Sequence, residues 1–189
     1  MAEANDELNH VVLDAALDVL AGGGVVAHAT EGVWGFACDA GCTVAIEKIL
    51  AIKQRAVEKG LIVIAGSIEV FGPELATLSE NQVAAIKATW PGPHTWILPN
   101  QRFDAQVTGS RSTIACRVPG HVQARALAAS FGQPLISTSA NRSGQPAVTQ
   151  ESEARELFSE EVDWILPGRV QNVGVPSTIH QIGGGIIRG

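Results

Sequence analysis

The chain has 189 residues, 46% of them hydrophobic and 17% charged, with a net charge of −6. That composition supports a sizeable core, excludes an intrinsically disordered chain, and lacks the global basic signature of a nucleic-acid binder. No apolar run reaches the roughly 18–20 residues needed to span a bilayer, so no membrane association is expected. The polar, acidic start MAEANDELNHVV is unlike a signal peptide, and the expectation is a soluble cytoplasmic protein.

Taken in chain order, residues 8–20 carry Leu8, Val11, Val12, Ala15, Ala16, Val19 and Leu20 at helical spacing, and Gly22, Gly23 and Gly24 end that helix. The run 25–29 (VVAHA) predicts a strand, followed by a glycine-rich turn. Helical spacing returns over 43–53 through Val44, Ile46, Ile49, Leu50 and Ile52, and 61–65 (LIVIA) is the continuous apolar run of a buried strand. Ser79 followed by Gln82 is a capping-box pattern opening a helix to about Thr89, which WPGP at 90–93 breaks. Residues 95–99 and 113–118 predict strands, 121–131 a helix, 134–138 (PLIST) a strand, 150–158 a helix and 162–166 a strand. The tail 176–189 predicts a hairpin. Strands alternate with helices but hairpins interrupt them, which favours a single α/β domain over 8–189 with a mixed parallel and antiparallel sheet.

Three cysteines, Cys38, Cys42 and Cys116, give no disulfide framework, and the one C-x3-C pair has no second pair at zinc spacing. Several stretches carry chemistry-bearing side chains. Thr30 and Glu31 end a strand where open α/β sheets bind ligands, or simply make a turn. Lys53 and Arg55 lie two apart at a helix end, so they share a target only if the chain unwinds there; otherwise they complement the helix dipole in solvent. Alternation puts Arg117 on the face opposite Ile114, Cys116 and Val118, where it needs a carboxylate, a ligand or open water. Trp90 and Trp96 read as packing residues, and His94 has no neighbouring carboxylate or cysteine. The run LISTSANRSG at 135–144 is the densest cluster of hydroxyl and amide groups, an anion-binding nest or an Asx/ST-turn cluster; neither a Walker A loop nor GxGxxG is present.

In order, HATEGVWGFACDA, KQR, LIVI, WPGPHT, RVPGH, STSANRSG, PSTI and RG resemble the YrdC/Sua5 (TsaC) family over nearly the whole chain. The resemblance implies an open, twisted α/β sheet with flanking helices and a concave, locally positive surface. It implies synthesis of L-threonylcarbamoyladenylate from L-threonine, bicarbonate and ATP, with release of pyrophosphate, for threonylcarbamoylation of adenosine 37 in tRNA. Carried over position by position, Lys53 and Arg55 hold the ATP phosphates and form the catalytic pair. Thr113, Ser139, Asn141 and Arg188 bind the nucleotide, and Thr30, Arg117, Ser137 and Ser177 bind threonine. Mg²⁺ is expected to arrive with ATP, and a tRNA threonylcarbamoyl transferase complex to take the product, with tRNA or double-stranded RNA a possible direct partner. The chain departs from the family pattern at Ala29 and Ala56, each in place of proline, at Trp34 in place of tyrosine, and at Ile64 or Ala65 where histidine is frequent. Two rival readings stay open: an RNA-binding module that recognises shape, and a carbamoyl-adenylate enzyme using another amine.

Overall fold

The computed structural model describes the backbone of residues 2–188 and the side chains of residues 12–187. Helix α1 (Ala2–Ala21) leads into a hairpin of β1 (Val26–Ala29) and β2 (Trp34–Asp39), then α2 (Thr43–Lys53) and β3 (Ile62–Ile64). A turn of 3₁₀ helix precedes β3 and another follows it, and α3 (Gly72–Leu75) then leads to α4 (Glu80–Lys87) and β4 (His94–Pro99). Next come α5 (Ala105–Thr108), β5 (Thr113–Arg117), α6 (Val122–Phe131) and β6 (Leu135–Ser139). The chain closes with α7 (Glu151–Phe158), β7 (Trp164–Ile165) and the hairpin β8 (Thr178–Gln181) and β9 (Ile186–Arg188).

The described strands form one mixed sheet in the order β7-β1-β2-β6-β3-β5-β4-β8-β9. Its parallel pairs are β1 with β7, β3 with β5 and β4 with β8; the others are antiparallel. Side chains alternate across it. Phe36, Cys38, Val63, Ile114, Cys116 and Ile136 enter the larger core, with Ile46 and Ile49 of α2 and Phe158 of α7. Val26, Ile64 and Leu135 face the other way, against Leu20 of α1 and Leu127 of α6. That second helical layer covers only part of its face, and the rest of the face carries the site.

Most elements fall where hydrophobic spacing places them, and the capping box of α4 is formed: Ser79 N donates to Gln82 Oε1 at 2.9 Å. The clearest error is β2. Residues 32–39 are not all turn, because Trp34, Phe36 and Cys38 alternate with Gly35 and Ala37 and bury one whole side of a strand. The tight Thr30–Val33 link, with Thr30 N donating to Val33 O at 3.0 Å, is all that remains of the turn. Helix α1 also begins earlier than expected, since Ala, Glu and Leu continue it and acidic residues suit its N-terminal end. The side chains of Leu8 and Val11 lie outside the described residues.

Candidate active site

A cavity of about 280 Å³ opens on the part of the sheet that α1 and α6 leave bare. Six of the ten residues singled out from sequence line it: Thr30, Arg55, Arg117, Ser137, Ser139 and Ser177. Register explains the convergence. Gly35 of β2 pairs with Ser139 of β6 and Ala37 with Ser137, so both serines share a face with two very small residues. On β3 and β5, Ile64 pairs with Arg117, and Ile62 and Ile64 floor the cavity. Arg117 therefore stands on the face opposite Cys116, as alternation requires.

Its partner is a protein carboxylate. Arg117 forms an ion pair with Glu31, both side chains nearly buried, and its Nε donates to Gly92 O at 3.1 Å. Glu31 Oε1 also accepts from Gly120 N at 2.7 Å. Burial alone would push the Glu31 carboxyl up, but the Arg117 charge and the donors around it outweigh burial and hold it below the usual range. Segment 171–175 is tied down over this pair: Gln171 N and Asn172 N donate to Glu31 O, and Gly174 N donates to Gly32 O. Position 32 must be glycine, since a Cβ there would meet Val175 O at 1.9 Å.

At the other wall α2 ends where the K-x-R reading needs it to. Gln54 takes the left-handed region (φ 49°) and the helix unwinds. The unwinding does not bring Lys53 and Arg55 onto one target: they take different places. Arg55 lines the cavity, with Nη2 donating to Gly60 O at 2.9 Å. Lys53 is only 2% exposed and lies behind the wall. Its ammonium donates to Ser139 O, to Asn141 O at 3.1 Å and to Asn141 Oδ1 at 2.8 Å. Burial, and next the Arg55 charge, pull its pKa down to about 8.

Asn141 also lies behind the wall. Its amide donates to Arg142 O at 3.1 Å and Gln145 O at 2.7 Å, and its Oδ1 accepts from Lys53 and from Ser139 Oγ at 2.7 Å. All four of its hydrogen-bond positions are used. The hydroxyl-rich stretch is thus both turn and site: Asn141 organises the loop, and Ser137 and Ser139 face the cavity.

A second depression adjoins the first and shares Arg55, Leu61 and Ile62 with it; Lys59, Arg111 and Thr113 lie along it. Arg55 and Thr113 are brought together here. Arg188 pairs through its backbone with Ile179, and its side chain lies outside the described residues. Ser177 is anchored by Thr95, whose Oγ1 donates to Ser177 Oγ at 3.1 Å. Sequence reasoning passed over His28 as a site-forming residue, and it placed Glu31 at the ligand end of a strand without foreseeing its pairing with Arg117. His28 is fully buried on β1, with Nε2 3.4 Å from Ser137 Oγ. Its signal was a lone titratable residue within the apolar run VVAHA.

The tryptophans pack, as expected. Trp90 is buried with its ring 5.5 Å from Phe71, and Trp96 stacks on His180 at 4.6 Å. His94 bonds to His180 across 2.9 Å. The cysteines are free thiols, and burial pushes those of Cys38 and Cys116 up, out of reach of thiolate chemistry at neutral pH. No described helix is long and apolar enough to cross a membrane.

This is an open α/β sheet with a polar, arginine-flanked cleft sized for a small ligand. The Sua5/YciO/YrdC family model, described as telomere recombination, matches residues 18–188, and the chain belongs to that family. It is 40% identical over 171 residues to a threonylcarbamoyl-AMP synthase of Xanthomonas campestris, covering 89% of this chain and 91% of that protein. A threonylcarbamoyl-AMP synthase of Vibrio vulnificus is 42% identical over 171 residues, covering 89% and 92%. The crystal structure of P. abyssi Sua5 complexed with L-threonine superposes with a TM-score of 0.84 at 30% identity, covering 90% of this chain and 50% of that one. The chain thus spans about half the length of that solved relative. E. coli YciO, at 21% identity and a TM-score of 0.78, shares the fold and covers 95% of this chain and 89% of its own.

Proposed function

We propose that the chain makes L-threonylcarbamoyladenylate from L-threonine, bicarbonate and ATP, releasing pyrophosphate, as its threonylcarbamoyl-AMP synthase relatives are named to do. The observation that carries the reading is the placement of Arg55 at the junction of two adjoining depressions. One is walled by hydroxyls and Arg117 and suits a small amino acid. The other, along Lys59, Arg111 and Thr113, suits the nucleotide.

The chemistry asks for assembly and charge neutralisation. The unprotonated threonine amine adds to the bicarbonate carbon and water leaves, giving the carbamate; a carbamate oxygen then attacks the α-phosphorus, and pyrophosphate leaves. The reactants are mostly anionic, so a fixed cation between the two depressions lowers repulsion and holds the in-line geometry. Arg55 is that cation. Lys53 acts from behind the wall: its ammonium is ringed by neutral oxygens, so its charge is not cancelled, and it fixes Ser139 through Asn141.

Mg²⁺ would come in with ATP. Glu31 is the carboxylate of the threonine-side cavity and is engaged by Arg117, and the described residues hold no group of three or more ligating side chains. That donor set fits an ion held by phosphates and water, where it supplies further charge neutralisation. The product would pass to a transferase complex acting on tRNA.

The test is pyrophosphate release from ATP. It should need both threonine and bicarbonate, and turnover independent of threonine would overturn the reading. Replacing threonine with serine, glycine or ammonia separates an enzyme for another amine. Direct RNA contact would give a steep salt dependence in titrations without ATP.

A further inference from the structure

Three hydroxyls of the cavity, on Thr30, Ser137 and Ser139, have their protons turned into the protein. Thr30 Oγ1 donates to Val33 O at 2.7 Å, and Ser139 Oγ donates to Asn141 Oδ1 at 2.7 Å. The direction at Ser139 is forced, because Lys53 donates to the same Oδ1 and fixes it as the oxygen of the amide. At Ser137 the direction rests on His28. The His28 ring reaches across Gly35, which has no side chain to block it, and its Nδ1 lies 3.1 Å from Ala29 O. A carbonyl only accepts, so Nδ1 carries the proton and Nε2 is left bare. The Ser137 hydroxyl, 3.4 Å from that bare nitrogen, donates to it.

We infer that His28 is a positioning residue that fixes the Ser137 hydroxyl as an acceptor toward the cavity, completing with Thr30 and Ser139 a wall of three acceptor oxygens that holds the ammonium group of the amino-acid substrate. An α-amino acid brings one group that only accepts and one that only donates. Arg55 and Arg117 can only donate, so they suit the carboxylate and the phosphates. The ammonium needs acceptors; Glu31 is already engaged by Arg117, and these three hydroxyl oxygens supply them. The role needs His28 to stay neutral. Its ring is fully buried, and the charged and titratable groups around it are His121, Glu31 and Arg117. Burial holds its pKa down at about 4, so the tautomer persists throughout the neutral range.

The inference rests on the proposed use of threonine, and the two fail separately. Wild-type pyrophosphate release that ignores threonine removes both; threonine-dependent release with the variants below behaving otherwise removes only this one. His28→Phe keeps a ring and loses both nitrogens. It should raise KM for threonine at least about tenfold, the scale of a lost hydrogen bond to a charged group, and leave KM for ATP within about twofold. Ser137→Ala should do the same, and the double variant should be no worse than the worse single one. His28→Gln, whose amide can donate to Ala29 O and accept from Ser137, should recover most of the threonine KM. Nitrogen NMR of the wild-type imidazole should find Nε2 unprotonated across neutral pH, a readout that does not depend on any variant folding. Additive losses in the double variant, equal shifts in both KM values, or a proton on Nε2 would each overturn it.

Discussion

Two largely buried cations flank the same cavity, and they are treated in opposite ways. Arg117, on a central strand, faces the carboxylate of Glu31, and the pair is close to neutral. Lys53, at the end of α2, faces only the neutral oxygens of Ser139 and Asn141. Burying a charge is costly, and a counter-ion offsets most of that cost. The chain supplies one to Arg117 and withholds it from Lys53, so the Lys53 side of the cavity keeps net positive charge. Threonine-side recognition then rests on shape and hydrogen-bond direction, while anion attraction is concentrated at Lys53 and Arg55.

The largest expected effect tests that contrast directly. Lys53→Met keeps the length of the side chain and removes both the charge and the donor that Ser139 O, Asn141 O and Asn141 Oδ1 share. Lys53→Met and Arg55→Ala should each lose at least about 2–3 kcal/mol of transition-state stabilisation, read as kcat/KM for pyrophosphate release. Near wild-type turnover in both would break the comparison, because no other buried charge on that side could then be claimed to act.

At the other cation the loss should appear in stability. Glu31→Gln leaves Arg117 buried and unpaired, and should cost about 3 kcal/mol in denaturant unfolding. The sign with pH follows. The Glu31 pKa is depressed in the folded state, so its contribution is present above the ordinary carboxylate value and is lost as pH falls through the folded value. Glu31→Gln should remove that part of the acid sensitivity. A variant as stable as wild type would mean that Arg117 finds other partners.

His28 adds a loss at milder acidity. Its folded pKa of about 4 lies below the ordinary value near 6.5, so protonation favours the unfolded chain. Stability is complete above about pH 6.5 and falls as pH drops toward 4, by about 2 kcal/mol at pH 5. His28→Phe should flatten that slope while leaving the Glu31 loss below it in place. Unfolding curves at several pH values between 7 and 4 separate the two.

Much of this arrangement was legible in the sequence, for physical reasons that differ by residue. The end of α2 was readable because apolar spacing stops at Ile52 and the chain turns polar. The face of Arg117 was readable because strand alternation is strict. The inward turn of Lys53 had a signal that was not used: Ile46, Ile49 and position 53 fall at i, i+3 and i+7, on the buried stripe, so the lysine continues a core face. Strand β2 was lost because Gly35 and Ala37, small to let His28 and the serines reach the site, look like turn residues. The pairing of Glu31 with Arg117, and of Asn141 with Lys53, links segments far apart in the chain, and no local pattern encodes it.

The smallest effect provides the scale against which the buried pairs are judged. Lys48 and Asp163 form an ion pair at 2.6 Å with side chains 38% and 39% exposed. It has the same charges as the Arg117–Glu31 pair and a short contact, but water screens it and both side chains give up freedom to hold it. Lys48→Ala should therefore cost only about 0.5 kcal/mol, and less as salt is raised. Asp163 is a different matter, since its Oδ2 also accepts from Val25 N at 2.8 Å and holds the start of β1. If Lys48→Ala cost as much as Glu31→Gln, burial would not be what separates these pairs. The contrast between a neutralised Arg117 and an uncompensated Lys53 would then lose its physical basis.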